Sequence, residues 1–182
     1  MSRAAGLNLM GMGMVKIAQP WDLAGPDGLE VARALVGEAV DHLAPFQSME
    51  TVLAGESCAV LRMCDRAFRL TYPGPLDQLV TPLQRQVWLK QLPWMGAVAL
   101  PAQVLPHLAA RATVRAPHRL EGLPLHRAVP ATLGTIPVLL WHHPIGAQPA
   151  LELHLAHTQI EPFRQWIQSI PDGSVSLTTA HP

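Results

Sequence analysis

Apolar and polar residues alternate strictly in two stretches of this chain, and no other feature limits its fold as much. Phe68, Leu70 and Tyr72 alternate with Arg69 and Thr71; Leu151, Leu153 and Leu155 alternate with Glu152 and His154. A period of two sends one residue set to each face of a strand. Each stretch follows an apolar run of strand length, residues 58–64 in the first case and 136–143 in the second. Asp65, Arg66 and Ala67 separate the first pair, and Pro144 through Pro149 the second, so two β-hairpins are predicted.

Helical spacing surrounds the hairpins. Leu29, Val31, Ala32, Leu35, Val36, Ala39, Val40 and Leu43 predict a helix that starts at the Pro26-Asp27-Gly28 turn and stops at Pro45. Residues 76–92 read as helix interrupted at Pro82, with Val87 and Trp88 on its apolar face. Residues 96–100 read as a strand, 101–112 as a helix, and 113–135 as loop. Thr158 is placed to cap a last helix carrying Ile160, Phe163, Trp166, Ile167 and Ile170; residues 175–177 suit a short strand. Hairpins dominate over strand–helix–strand crossovers. The predicted class is therefore α+β, a single domain whose mostly antiparallel sheet is built from two β-hairpins with packed helices. Residues 1–24 read as a flexible leader, 25–172 as the domain, and 173–182 as a tail or short strand.

Charge narrows the function. Lys+Arg and Asp+Glu both number 13 in 182 residues, so the formal net charge is zero. A protein that grips nucleic acid through its phosphates needs clustered positive charge, so that class is excluded as a main role. Charged residues make up 14%, against about 25% in an ordinary soluble domain. A charge-poor surface tends to associate, which points to coverage by partner proteins. The two cysteines, Cys58 and Cys64, have no redox or zinc spacing and read as small apolar residues of a reducing cytoplasm. The apolar run at residues 4–15 is too short to span a bilayer, so no membrane insertion is expected.

No catalytic constellation stands out. His142 and His143 are strand neighbours and face opposite sides, so they cannot share an ion. His143 and His154 could meet across the second hairpin, with His157 nearby, but no carboxylate or cysteine completes a zinc pattern. Ser57 sits in a Gly55-Glu56-Ser57 sequence that echoes a nucleophile elbow, yet it runs on into a strand and Ala59 stands where glycine is needed. Arg111, Arg115, Arg119 and Arg127, with His107, His118 and His126, form the nearest thing to a basic patch, read as a solvated face. The expectation is thus no enzyme, no catalytic or metal-binding residues and no cofactor. Trp94, Trp141 and Trp166 are the candidate partner-binding residues, because large aromatics anchor interfaces.

Two resemblances follow. The hairpin at 59–72, the Trp94–Leu108 stretch with its Leu100-Pro101 step, and the hairpin at 138–155 followed by 160–170 resemble the N-terminal domain of the cytosolic-ring Q component of type III secretion systems, a relative of the flagellar switch proteins. That resemblance implies a cytoplasmic docking scaffold in protein transport. Its partners would be other protein subunits: a stalk protein and, through it, an export ATPase, or a companion carrying the family's C-terminal module. Separately, Gly96 to Pro101 and residues 137–143 resemble the effector-binding domain of LysR-type transcription regulators, which implies small-molecule binding. That family has a helix after Pro149, whereas the alternation at 150–156 predicts a strand.

Overall fold

The chain forms two five-stranded antiparallel sheets packed face to face, each covered on its outer face by helices. The coordinates are a computed structural model and describe residues 19–168. The first sheet contains β1 (Trp21–Ala24), β2 (Ser48–Leu53), β3 (Glu56–Cys64), β4 (Ala67–Thr71) and β5 (Trp88–Gln91), in the order β2-β3-β4-β1-β5. The second contains β6 (Met95–Pro101), β7 (Ala112–Val114), β8 (Arg127–Leu133), β9 (Ile136–Ile145) and β10 (Gln148–Ala156), in the order β6-β10-β9-β8-β7. Helices α1 (Gly28–Val36) and α2 (Leu76–Val80) belong with the first sheet, α3 (Leu105–Ala109) and α4 (Ile160–Gln168) with the second. Both predicted hairpins are present, as β3–β4 and β9–β10.

The two sheets share a plan. In each, a strand and a helix precede a meander, and the first strand returns to pair with the meander's last: β1 with β4, and β6 with β10. A further helix follows each meander. The parallel lies in topology alone, which is why no sequence repeat betrays it.

Several expected elements differ. Trp21–Ala24, inside the segment read as leader, is a strand paired on both sides, with β4 and β5. The helix expected through Leu43 breaks at Gly37, whose φ of 88° leaves the helical region, and continues as a 3-10 turn over Glu38–His42. Trp88 lies on edge strand β5 and is 57% exposed, not on a helix face. Part of the expected loop, Arg127–Leu133, is a strand; its Pro130 falls one residue beyond the last pair with β7, Val114 with Ala131. Thr158 sits within a 3-10 turn rather than capping α4. The apolar run at residues 4–15 and residues 175–177 lie outside the described residues.

Each outer face has its own apolar core. Val60, Phe68 and Leu70 of the first sheet meet Val31 and Ala32 of α1 and Leu76 of α2. Leu140, Leu151 and Leu153 of the second meet Leu105 and Leu108 of α3 and Phe163 and Ile167 of α4. Burying each such side chain contributes roughly 1.5–3 kcal/mol.

Candidate functional site

The layer between the sheets is built differently. Its apolar part is small: Ala59 and Leu61 from β3 meet Ala128 from β8 and Leu139 and Trp141 from β9. Trp141 is fully buried, and its Nε1–H donates across the layer to Ser48 Oγ at 2.8 Å. Beside this contact runs a row of ionisable side chains drawn from five strands. Arg69 and Asp22 are register partners on β4 and β1, and Arg69 donates from Nε and Nη2 to the two Asp22 carboxylate oxygens at 2.7 and 3.0 Å. From Nη1 it reaches Nδ1 of His154 at 3.4 Å. Glu152, 1% exposed, sits between two imidazoles: His154 Nε2 at 2.5 Å and His143 Nε2 at 2.7 Å. His143 Nδ1 then lies 3.5 Å from Glu50 Oε1, and His126 Nδ1 lies 2.9 Å from the other Glu50 oxygen, both out of line for a hydrogen bond.

A carboxylate only accepts, so His154 donates to Glu152 from Nε2, while its Nδ1 faces Nη1 of Arg69. His143 donates from Nε2 to Glu152, and its other nitrogen faces Glu50. Burial of His143 opposes its charge, yet the hydrogen bond to Glu152 and the charges of Glu152 and Glu50 raise its pKa above the ordinary histidine value. Burial alone would push Glu152 up. The charge of His154, the hydrogen bonds from His143 and His154 and the charge of His143 outweigh it and bring the carboxyl down to about 2. The His143 ring also stacks on Trp141, with centroids 4.0 Å apart. Buried charges of this kind are costly unless paired, and clusters of perturbed groups are found preferentially at functional sites.

One end of this row opens into a cleft of about 620 Å³, within the size range of small-molecule sites. Arg69 and His154 form its buried end. Trp94, Met95, Leu139 and Leu155 supply apolar lining, Thr113, Thr132 and Gln159 supply neutral polar groups, and Arg115 adds a second cation. Neither Asp nor Glu lines it. A guanidinium has five N–H donors. Asp22 takes two from Arg69 and His154 takes one, which leaves two, and Arg69 lines the cleft.

The residues singled out from sequence are not brought together. Trp94 is 54% exposed at the cleft, Trp141 is sealed between the sheets, and Trp166 is half-buried against Phe163 on the outer face of the second sheet. Trp141 therefore cannot be part of a docking surface on the folded chain. His143 and His154 do come close, but through Glu152 and not a metal. Among the described residues, no group of three or more His, Cys, Asp or Glu is arranged to hold a metal ion. Ser57 lies on β3 just after the hairpin turn at Ala54 and Gly55. Of the basic patch, Arg115 reaches the cleft and His126 reaches Glu50. Sequence reasoning missed Asp22, Glu50, Arg69 and Glu152. Their one signal was Glu152 and His154 between leucines, the kind of polar face that solvent ordinarily covers.

No protein-family profile and no curated protein sequence matches the chain. Solved structures do share its fold. Aminomethyltransferase T of the glycine cleavage system from Bartonella henselae superposes with a TM-score of 0.65 at 13% identity, over 88% of this chain and 46% of that one. This chain thus spans about half the length of that enzyme. A chain of the heterotetrameric sarcosine oxidase from Corynebacterium sp. U-96, solved in complex with pyrrole 2-carboxylate, superposes with a TM-score of 0.60 at 21% identity, over 90% of this chain and 85% of that one. At such identities the likeness is one of fold. It overturns the two resemblances: the fold is that of these proteins, not of a secretion-ring component or a LysR effector-binding domain, and protein transport falls with it. The expectation of no enzyme is corrected on the same ground: both neighbours are enzymes, so the fold is one that enzymes use. Apolar alternation and Leu-Pro steps recur in many sheet proteins, which is why those motifs misled. Among the described residues, no helix is long and apolar enough to cross a membrane.

Proposed function

We propose that the chain is a component of an enzyme of amino-acid or amine metabolism and that its inter-sheet cleft binds a small carboxylate. The carrying observation is Arg69: an arginine 8% exposed, held on one side by Asp22, with two N–H donors left in a cleft that contains a second arginine and no acid. A guanidinium pre-oriented in this way suits a carboxylate, which it can meet with two parallel hydrogen bonds. The apolar lining around Trp94 and Leu139 suits a flat or short apolar body. The kinship of fold with an aminomethyltransferase and a sarcosine oxidase chain supports the metabolic class.

Association with other protein subunits belongs to the same reading. Trp94 and Trp88 are exposed aromatics in a charge-poor chain, and one neighbour is part of a heterotetramer. A cytoplasmic setting fits the unpaired thiols of Cys58 and Cys64.

Pyrrole-2-carboxylate, a flat ring with one carboxylate, is a suitable calorimetric probe. The expected result is saturable binding to the full chain, weakened roughly tenfold or more by Arg69→Gln and less by Arg115→Ala. Absence of binding at millimolar probe, or binding unchanged in both variants, would contradict the reading.

A further inference from the structure

We propose that the cleft admits carboxylates that bear no ammonium group: an oxo acid, a hydroxy acid or an aromatic acid, and not a free amino acid. This rests on the cleft being a carboxylate site and names the class of acid that fits it.

An α-amino acid carries its ammonium beside its carboxylate, so the group that holds the carboxylate also sets where the cation lies. With the carboxylate at Arg69, the ammonium shares the cleft with two guanidiniums, Arg69 and Arg115. Both are permanently charged, and both only donate hydrogen bonds. A cation taken out of water is costly unless an anion or several oxygens receive it. Neither Asp nor Glu lines the cleft. The acids of the buried row are already engaged: Asp22 receives two hydrogen bonds from Arg69, and Glu152, 1% exposed, lies between His143 and His154.

The main chain offers little instead. Strands β8, β9 and β10 each lie between two others, so their carbonyls point along the sheet into ladder hydrogen bonds and not out of its face. The side-chain oxygens of Thr113, Thr132 and Gln159 remain. They are neutral, and they serve a hydroxyl or a ring N–H without setting a charge against the guanidiniums. A cation over the exposed Trp94 ring gains little, because that attraction is weak where water competes. Arg115 is exposed and, among the described residues, makes no ion pair. No protein group cancels its charge, which attracts an entering anion and repels an entering ammonium.

The test is displacement of pyrrole-2-carboxylate from the full chain at pH 7.5, followed by calorimetry, with two competitors of equal ring size. Proline carries an ammonium in its ring. Cyclopentanecarboxylate has a carbon at that place and is just as far from flat, so the pair differs in charge and not in shape. Cyclopentanecarboxylate is expected to displace the probe, and proline to do so roughly tenfold or more weakly. Arg115→Gln removes one of the two cations without breaking an ion pair, so the gap between the competitors should narrow severalfold. Equal displacement by the two, nil included, overturns the proposal and leaves the carboxylate site standing. A gap of unchanged size in Arg115→Gln overturns it too, since charge would then not be the cause. No binding of pyrrole-2-carboxylate itself overturns both.

Discussion

The outer faces of the two sheets and the layer between them are made of different material. Outside, leucine, valine and phenylalanine pack against helices, and the buried side chains are almost all apolar. Inside, five apolar residues share the space with Ser48, Arg69, His143, Glu152 and His154, the polar residues that are buried. An apolar core would be the cheaper filling for that layer, because desolvating paired charges commonly costs as much as their attraction returns. The outer cores therefore carry the stability, and the inner layer holds an ordered row of charges at the end of a cleft.

Substitutions can break that contrast. Phe163→Ala removes a 0% exposed ring from the second outer core, with an expected loss of about 3–5 kcal/mol in denaturant unfolding. Its pH dependence should stay that of the wild type, since no charge is touched.

Glu152→Gln acts on the inner layer. The lowered carboxyl stabilises the fold fully above its ordinary value of 4.5, and that contribution is lost as pH falls toward about 2. The raised His143 contributes below its ordinary 6.5 and is lost as pH climbs through its folded value. Wild-type stability should therefore be greatest near pH 4.5–6.5. The acid arm should amount to about 3 kcal/mol. In Glu152→Gln that arm should vanish and the alkaline arm should shrink. Urea midpoints at pH 3, 5.5 and 8 check both. An unchanged acid arm would mean that other carboxylates carry it.

Ser48→Ala is the milder probe. It leaves the buried Trp141 N–H without its acceptor, at an expected cost of about 1–2 kcal/mol. Alkylation of the native thiols should cost nothing and sharpen the same division. Cys64 is exposed and should react, whereas the buried Cys58 thiol, pushed up to about 12 by burial, should react only after unfolding. Equal labelling of both in the folded chain would contradict the packing of β3.

The parts legible in the sequence were those that local pattern dictates. Period two and strong turns announced β3–β4 and β9–β10, and spacing announced α1, α3 and α4. The short strands β1, β2 and β5 escaped, since four to six residues of mixed composition carry no period. Trp21–Ala24 is a strand because β4 and β5 flank it, a fact of tertiary structure. The site escaped for a related reason. Alternation shows which residues share a face, not what covers that face. Arg69, Glu152 and His154 occupy faces that solvent would ordinarily take, and here each sheet covers the other's. Low overall charge gave no hint that charged groups were concentrated in the buried layer.

Nitrogen-15 spectra of the histidines in the free protein at pH 6.5 test the account most directly. The buried row of charges predicts His143 largely protonated on both nitrogens, and a neutral His143 would contradict it.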